Sequence, residues 1–262
     1  MFDFFKVQKV SHESTKVALA KDFENIPAIS VYFKNSTGID FEDQKIIFKS
    51  KVTSFCRTHK ISSFATCLQH IQSDKILHQE LTDYLTTNES YFDRELHQIE
   101  ELTQKIKSSS KNVKILCAPS AHGEEPYSIV IALLSAGVQE SRFHVTGIDI
   151  SLNAIRSAQK AIYNEKAVRN LSQDIRKRYF TKKEDKYHLN QEVKDKVTFM
   201  CINIFESEFQ KLQKFDYIFS RNMLIYFDTK TRLKAQSLFK SHLVDENEEI
   251  YYGHADLTHL HH

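Results

Sequence analysis

The sequence predicts an α/β chain, a parallel sheet covered by helices on both faces, preceded by a small all-helical domain. Three observations carry this. The first half shows helical periodicity and no strand alternation. From about residue 111 onward, short β-rich apolar runs alternate with helical stretches. Each of those runs ends on polar or acidic residues, the edge at which ligands bind in open parallel sheets.

Taken in order, "FEDQKIIFKSKVTSFC" places Phe41, Phe48, Val52 and Phe55 within one arc of a 3.6-residue helix, with Lys45, Lys49 and Arg57 to one side. "SSFATCLQHIQ" offers Ser62 or Ser63 as an N-cap, and "DKILHQELTDYL" is a third helical run. A long polar helix over about 89–109 then leads to the loop signal "KSSSKN". After it, "NVKILCA" reads as a strand, and "EEPYSIVIALLSAG" as a helix stopped by Gly137. "RFHVTGID" is a second strand and "SLNAIRSAQKAI" a helix capped by Ser151. "KVTFMCIN", "FDYIFSRN" and "EEIYYGHA" are further strands, with "TKTRLKAQSLFKSHL" helical before the last. The basic stretch 165–194 breaks the alternation and reads as an insertion or small subdomain.

Composition excludes several classes. At 262 residues, 41% hydrophobic and 27% charged, the chain has the makings of a real core and not of a disordered tail. A net charge of +2 does not favour non-specific nucleic-acid binding. Four cysteines without CxxC spacing suggest reduced thiols and no metal site, and no apolar run reaches membrane-spanning length. With no secretory leader at "MFDFFKVQKV", a cytoplasmic protein without membrane insertion is expected. The histidines of "THLHH" are set aside as a polar tail.

The strand ends hold the chemistry. After the first strand come Pro119, Ser120, Gly123, Glu124 and Glu125; the second ends at Asp149, the third at Asn203, the fourth at Ser220, Arg221 and Asn222. A carboxylate ending the second strand suits the two adjacent hydroxyls of a ribose. A dinucleotide fold would show GxGxxG, its amides facing a pyrophosphate. Here one glycine precedes two carboxylates, which repel phosphate and attract a cationic ligand. S-adenosyl-L-methionine, with its amine and sulfonium, fits that requirement; NAD does not. Acids in a first helical turn also complement the helix dipole, and Asp149 could simply cap the next helix, so each residue singly has a structural reading.

In combination, "GEEPYSI" (123–129), "GIDISLNAI" (147–155), "FDYIFSRNMLIYFD" (215–228) and "LTTNESYFDRE" (85–95) resemble the CheR-type chemotaxis receptor methyltransferases. "GIDFEDQK" (38–45) and "GHADL" (253–257) are similar to that family's first helix and last strand. The resemblance implies a small helical N-terminal domain joined to a class I, Rossmann-like methyltransferase domain. It divides the chain into an extension (1–29), a helical domain (30–86), a linker helix (87–110) and an S-adenosylmethionine-binding domain (111–262). It also implies methyl transfer from S-adenosylmethionine to glutamate side chains of chemoreceptor cytoplasmic helices, giving methyl esters. By motif, Asn88, Ser90 and Arg94 would hold the cofactor from the linker, Glu125 would sit by its methionine portion and Asp149 by its ribose. Asn203 and Ile204 would flank adenine, with Arg221 and Asn222 closing the site.

A glutamate carboxylate is already an ionised nucleophile at neutral pH, so this chemistry needs no general base, and the motifs carry no His/Asp or Cys/His dyad. Tyr226 and Arg94 are the candidates for orienting the substrate carboxylate. Two departures stand out: Asp93 where the family has a second phenylalanine, and His122 where it has a small hydroxyl residue. They leave room for a second reading, a non-catalytic module that senses S-adenosylmethionine or docks on receptors.

Overall fold

The computed structural model describes residues 25–245 and 249–258. Most of the expected extension, 1–29, and the terminal histidines therefore lie outside the described residues. The chain divides into two compact units, Phe41–Leu85 with the residues up to Lys34, and Thr86–His262 with Asn35–Asp40.

The first unit is helical. Its helices are α1 (Ile26–Thr37, whose last residues count with the second unit), α2 (Lys45–Thr58), α3 (Phe64–Ser73) and α4 (Lys75–Leu85). The sequence reading did not include α1. The predicted stripe is buried throughout, Phe41 at 8% exposure and Phe48, Val52 and Phe55 at 3% or less. Phe41 packs from outside α2, its ring centre 4.8 Å from that of Phe48. "GIDFEDQK", likened to a first helix, contains only a 3₁₀ turn, Glu42–Gln44, ahead of α2. Ser63 caps α3 by accepting from the Thr66 amide. Lys45, Lys49 and Arg57 are exposed on α2.

In the second unit the linker helix is shorter than 87–110. Helix α5 runs Leu96–Ser108, because Asp93 and Glu95 adopt left-handed φ of 57° and 49° and the Phe92 amide bonds the Ala167 carbonyl instead of a helical partner. The α/β alternation follows: β1 (Val113–Cys117), α6 (Glu124–Ser135), β2 (Phe143–Asp149) and α7 (Leu152–Lys160), capped as expected by Ser151. An insertion comes next, with β3 (Ile162–Tyr163), α8 (Glu165–Val168), α9 (Gln173–Tyr179), β4 (Phe180–Lys183), β5 (Lys186–Leu189) and α10 (Gln191–Lys194). The main sheet resumes with β6 (Val197–Cys201), α11 (Ser207–Gln210), β7 (Tyr217–Ser220), α12 (Thr229–Ser241), β8 (Ile250–Tyr252) and α13 (His254–Leu257).

Five parallel strands pair in the order β6-β2-β1-β7-β8. Alternate residues of β1 feed two apolar layers: Ile115 and Cys117 pack with the α6 side, Leu116 with Ile218, Phe215 and Phe239. Burial on both faces accounts for the unbroken apolar runs seen in the sequence. Strand order reverses about β1, which opens a crevice beyond the strand C-termini. "GHADL", likened to a last strand, instead leaves β8 at Gly253 and turns into α13. The insertion forms its own three-stranded antiparallel sheet, β3-β5-β4.

A candidate cofactor site at the strand ends

Beyond the ends of β1, β2 and β7 lies a cavity of about 410 Å³, a size typical of small-ligand sites. Its walls come from 87–91 and Arg94, from the turn after β1, from Asp149, and from Arg221, Asn222, Ile225, Tyr226 and Ala255.

The turn after β1 is tightly determined. Ser120 donates its amide to the Ile148 carbonyl at 2.7 Å, and Ala121 donates to Asp149 Oδ2 at 2.9 Å. Asp149 Oδ1 accepts from the Ser151 amide at 2.8 Å, so one carboxylate ties the two turns together. Gly123 starts α6 with φ of 92°, and a Cβ there would lie 3.0 Å from Ala158 Cβ and from the Tyr127 ring. Only glycine meets both demands.

The two acids behind Gly123 differ in kind. Glu124 is 3% exposed and does not face the cavity; burial pushes its pKa up to about 7, although the Ser90 hydroxyl and the His122 amide hydrogen-bond it. Glu125 lines the cavity and pairs through Oε2 with Arg221 Nε, both side chains being nearly buried. The pair does not present the doubly negative face expected from sequence, since one acid is half-neutral near pH 7 and the other shares its charge with a guanidinium.

Arg221 is further fixed by the Arg94 carbonyl, 2.7 Å from its Nη1. Asn222 has a left-handed φ of 59° and donates its amide to Asp256. Asp256 is fully buried and also accepts from the Ile225 and Gly253 amides, each at 3.2 Å. Burial raises its pKa while these amides oppose the shift. Tyr226 accepts the Asp40 amide at its carbonyl, 2.8 Å, and is one of the residues lining the cavity. The Arg94 guanidinium enters no ion pair among the described residues, and its charge opposes the burial that raises the Tyr226 pKa.

The structure thus brings Asn88, Ser90, Arg94, Glu125, Asp149, Arg221, Asn222 and Tyr226 to one cavity. Asn203 and Ile204 do not line it; the Asn203 amide binds the Ser36 carbonyl at 2.7 Å and the Phe205 amide at 3.0 Å. Asp93 hydrogen-bonds Ser128, with burial raising its pKa to about 6. His122 also lies outside the lining, burial lowering its pKa, and its carbonyl takes the Tyr163 hydroxyl at 2.8 Å. Sequence reasoning missed Tyr91, Ile225 and Asp256. The only signal for Asp256 was its place in "GHADL", and nothing local reveals that its partners lie 34 and 31 residues earlier.

The cavity fits S-adenosylmethionine on its own chemistry. Ser120 Oγ and Glu125 Oε1 are buried in its wall without an N–H or O–H partner among the described residues. Buried acceptors left open in this way call for a ligand with donors. With Asp149 beside them, they match an amino group and a ribose diol.

Comparison with known proteins agrees. Residues 24–86 match the family model for the CheR methyltransferase all-alpha domain, and residues 88–261 that for the CheR methyltransferase SAM binding domain. A chemotaxis protein methyltransferase of Campylobacter jejuni (strain 81-176) is 38% identical over 222 residues, 84% of each chain. Chemotaxis protein methyltransferase 2 of Vibrio cholerae is 30% identical over 239 residues, covering 86% of this chain and 82% of the relative. With a parallel sheet, an acceptor-lined cavity at its strand ends and both family domains in order, this chain belongs to the CheR methyltransferase family, whose cofactor is S-adenosylmethionine.

Proposed function

We propose that the protein methylates glutamate side chains on the cytoplasmic helices of chemoreceptors, forming methyl esters in chemotaxis. The observation that carries this reading is the place of Arg94 and Tyr226 together on the wall of one cavity, beside carboxylates that serve the cofactor. When bound, S-adenosylmethionine supplies an electrophilic methyl group. Glu125 Oε1 and Ser120 Oγ would take its amino end, and Asp149 its ribose hydroxyls. Asn88 and Ser90 would close over it. Arg221 acts by pairing with Glu125 and fixing its side chain at the cavity wall.

The incoming glutamate needs no deprotonation, so the chain's task is positional. Arg94 and the Tyr226 hydroxyl hold the carboxylate, and the protein wall excludes water. No observation favours the non-catalytic module: Asp93 and His122, the residues that suggested it, both lie outside the cavity lining.

The test uses radiolabelled cofactor with chemoreceptor cytoplasmic fragments. Base-labile methyl esters on glutamate are expected. Tyr226→Phe should lower kcat by about ten- to a hundredfold with cofactor affinity intact, the worth of one hydrogen bond to a charged group. Cofactor binding without transfer to any receptor would overturn the reading.

A further inference from the structure

The cavity wall formed by 87–94 has little structure of its own. Residues 86–91 belong to no helix or strand, and Asp93 and Glu95 carry left-handed φ without being glycine. Such a segment keeps one conformation only if something outside it decides. At Asp93 and Arg94 that support comes from Ser128 and Arg221, and at Glu89, Tyr91 and Phe92 it comes from the insertion. The Phe92 amide bonds the Ala167 carbonyl at 2.9 Å, and the Phe92 ring meets Tyr163 and Phe180 edge-on, at 4.8 and 5.3 Å between centres. Lys166 pairs with Glu89 at 2.8 Å, but both ends are exposed, which makes that contact weak. The Arg169 guanidinium lies 3.8 Å from the centre of the Tyr91 ring.

Tyr91 is the ring that both lines the cavity and touches the insertion; Phe92 is fully buried and serves as the foundation. Arg169 is itself held, donating Nη1 to the Lys166 carbonyl at 2.6 Å while its own carbonyl accepts from Arg176 at 3.1 Å. A planar cation fixed over an aromatic face is a directional contact that lysine reproduces only in part.

We propose that Arg169 is a positioning residue: stacked on Tyr91, it holds 87–94 in the conformation that walls the cofactor cavity. The small antiparallel sheet is then a strut for cofactor binding. This rests on the reading that the cavity takes S-adenosylmethionine.

The test combines amide hydrogen exchange on the cofactor-free protein with calorimetry of S-adenosylhomocysteine. Arg169→Ala should speed exchange within 87–94, leave the melting temperature unchanged, and weaken binding about three- to tenfold. Arg169→Lys should recover part of both losses. Tyr91→Leu should bind as weakly as Tyr91→Leu combined with Arg169→Ala, since the two side chains act through one contact. Exchange and affinity at wild-type values in Arg169→Ala would overturn the proposal. Faster exchange with unchanged affinity would instead overturn the assignment of this wall to the cofactor, and additive losses in the double variant would show that Arg169 does not act through Tyr91.

Discussion

At Gly123, one residue settles two geometric demands, a left-handed φ of 92° and contacts at 3.0 Å where a Cβ would sit. Gly123→Ala should cost about 1–3 kcal/mol, read from denaturant unfolding. The glutamates behind it carry a pH prediction. Glu124 is raised to about 7 in the folded protein by burial, so between about pH 4.5 and 7 the native state holds a proton that the unfolded chain has released. Its favourable contribution is complete below that window and is lost as pH rises through 7. Glu124→Gln should flatten the stability curve there and leave the variant on the order of 1–3 kcal/mol more stable than the parent at pH 8. Melting temperatures across pH 4–8 check this. Asp93, raised to about 6, adds loss of the same sign over a lower window.

Elements meet at the site through short connections whose conformations are imposed. Helix α13 is only His254–Leu257, yet its Asp256 organises the loop after β7 by accepting amides from Asn222, Ile225 and Gly253. Asp256→Ala would leave those amides buried and unpaired, at a cost of about 1–3 kcal/mol. The loop carries Arg221, Asn222 and Tyr226, so S-adenosylhomocysteine affinity should fall with stability, and calorimetry beside chemical denaturation measures both. Asp256→Asn, which keeps an acceptor, should lose less. The helix starts at Ser63 and Ser151 were readable because a cap is a local device, one hydroxyl and the amide three residues on. The N-terminal limit of α5 was not. Its start at Leu96 is decided by Phe92 docking on Tyr163 and Phe180, about 70 and 90 residues away in the chain.

On the scale of the molecule, the site is assembled from five stretches that are remote in sequence: 87–94, the turn after β1, the end of β2, 221–226 and Ala255. Right-handed crossovers bring them to one edge, which is why strand-end polar residues could be singled out before any coordinates. That reasoning found Glu125, Asp149, Arg221 and Asn222. It included Asn203, to which the family resemblance added Ile204, past the end of β6, the sheet's outer strand, where the Asn203 amide is spent on Ser36 and Phe205 and the cavity wall does not reach. It took two adjacent acids for two facing charges, because orientation along a helix's first turn depends on what buries it.

By itself the sequence determined the alternation of strands and helices, the helix caps, the glycine turn and the edge at which chemistry gathers. Each of these follows from side-chain periodicity or from contacts within a few residues. Only the tertiary structure decided that Arg221 neutralises Glu125, that Asp256 pins the loop bearing Tyr226, and that Arg169 stacks on Tyr91. Those partners stand 96, 34 and 78 positions apart, and nothing in a local pattern encodes a contact over such separations. The packing of the whole chain sets them, through the burial that makes an unpaired charge or amide costly.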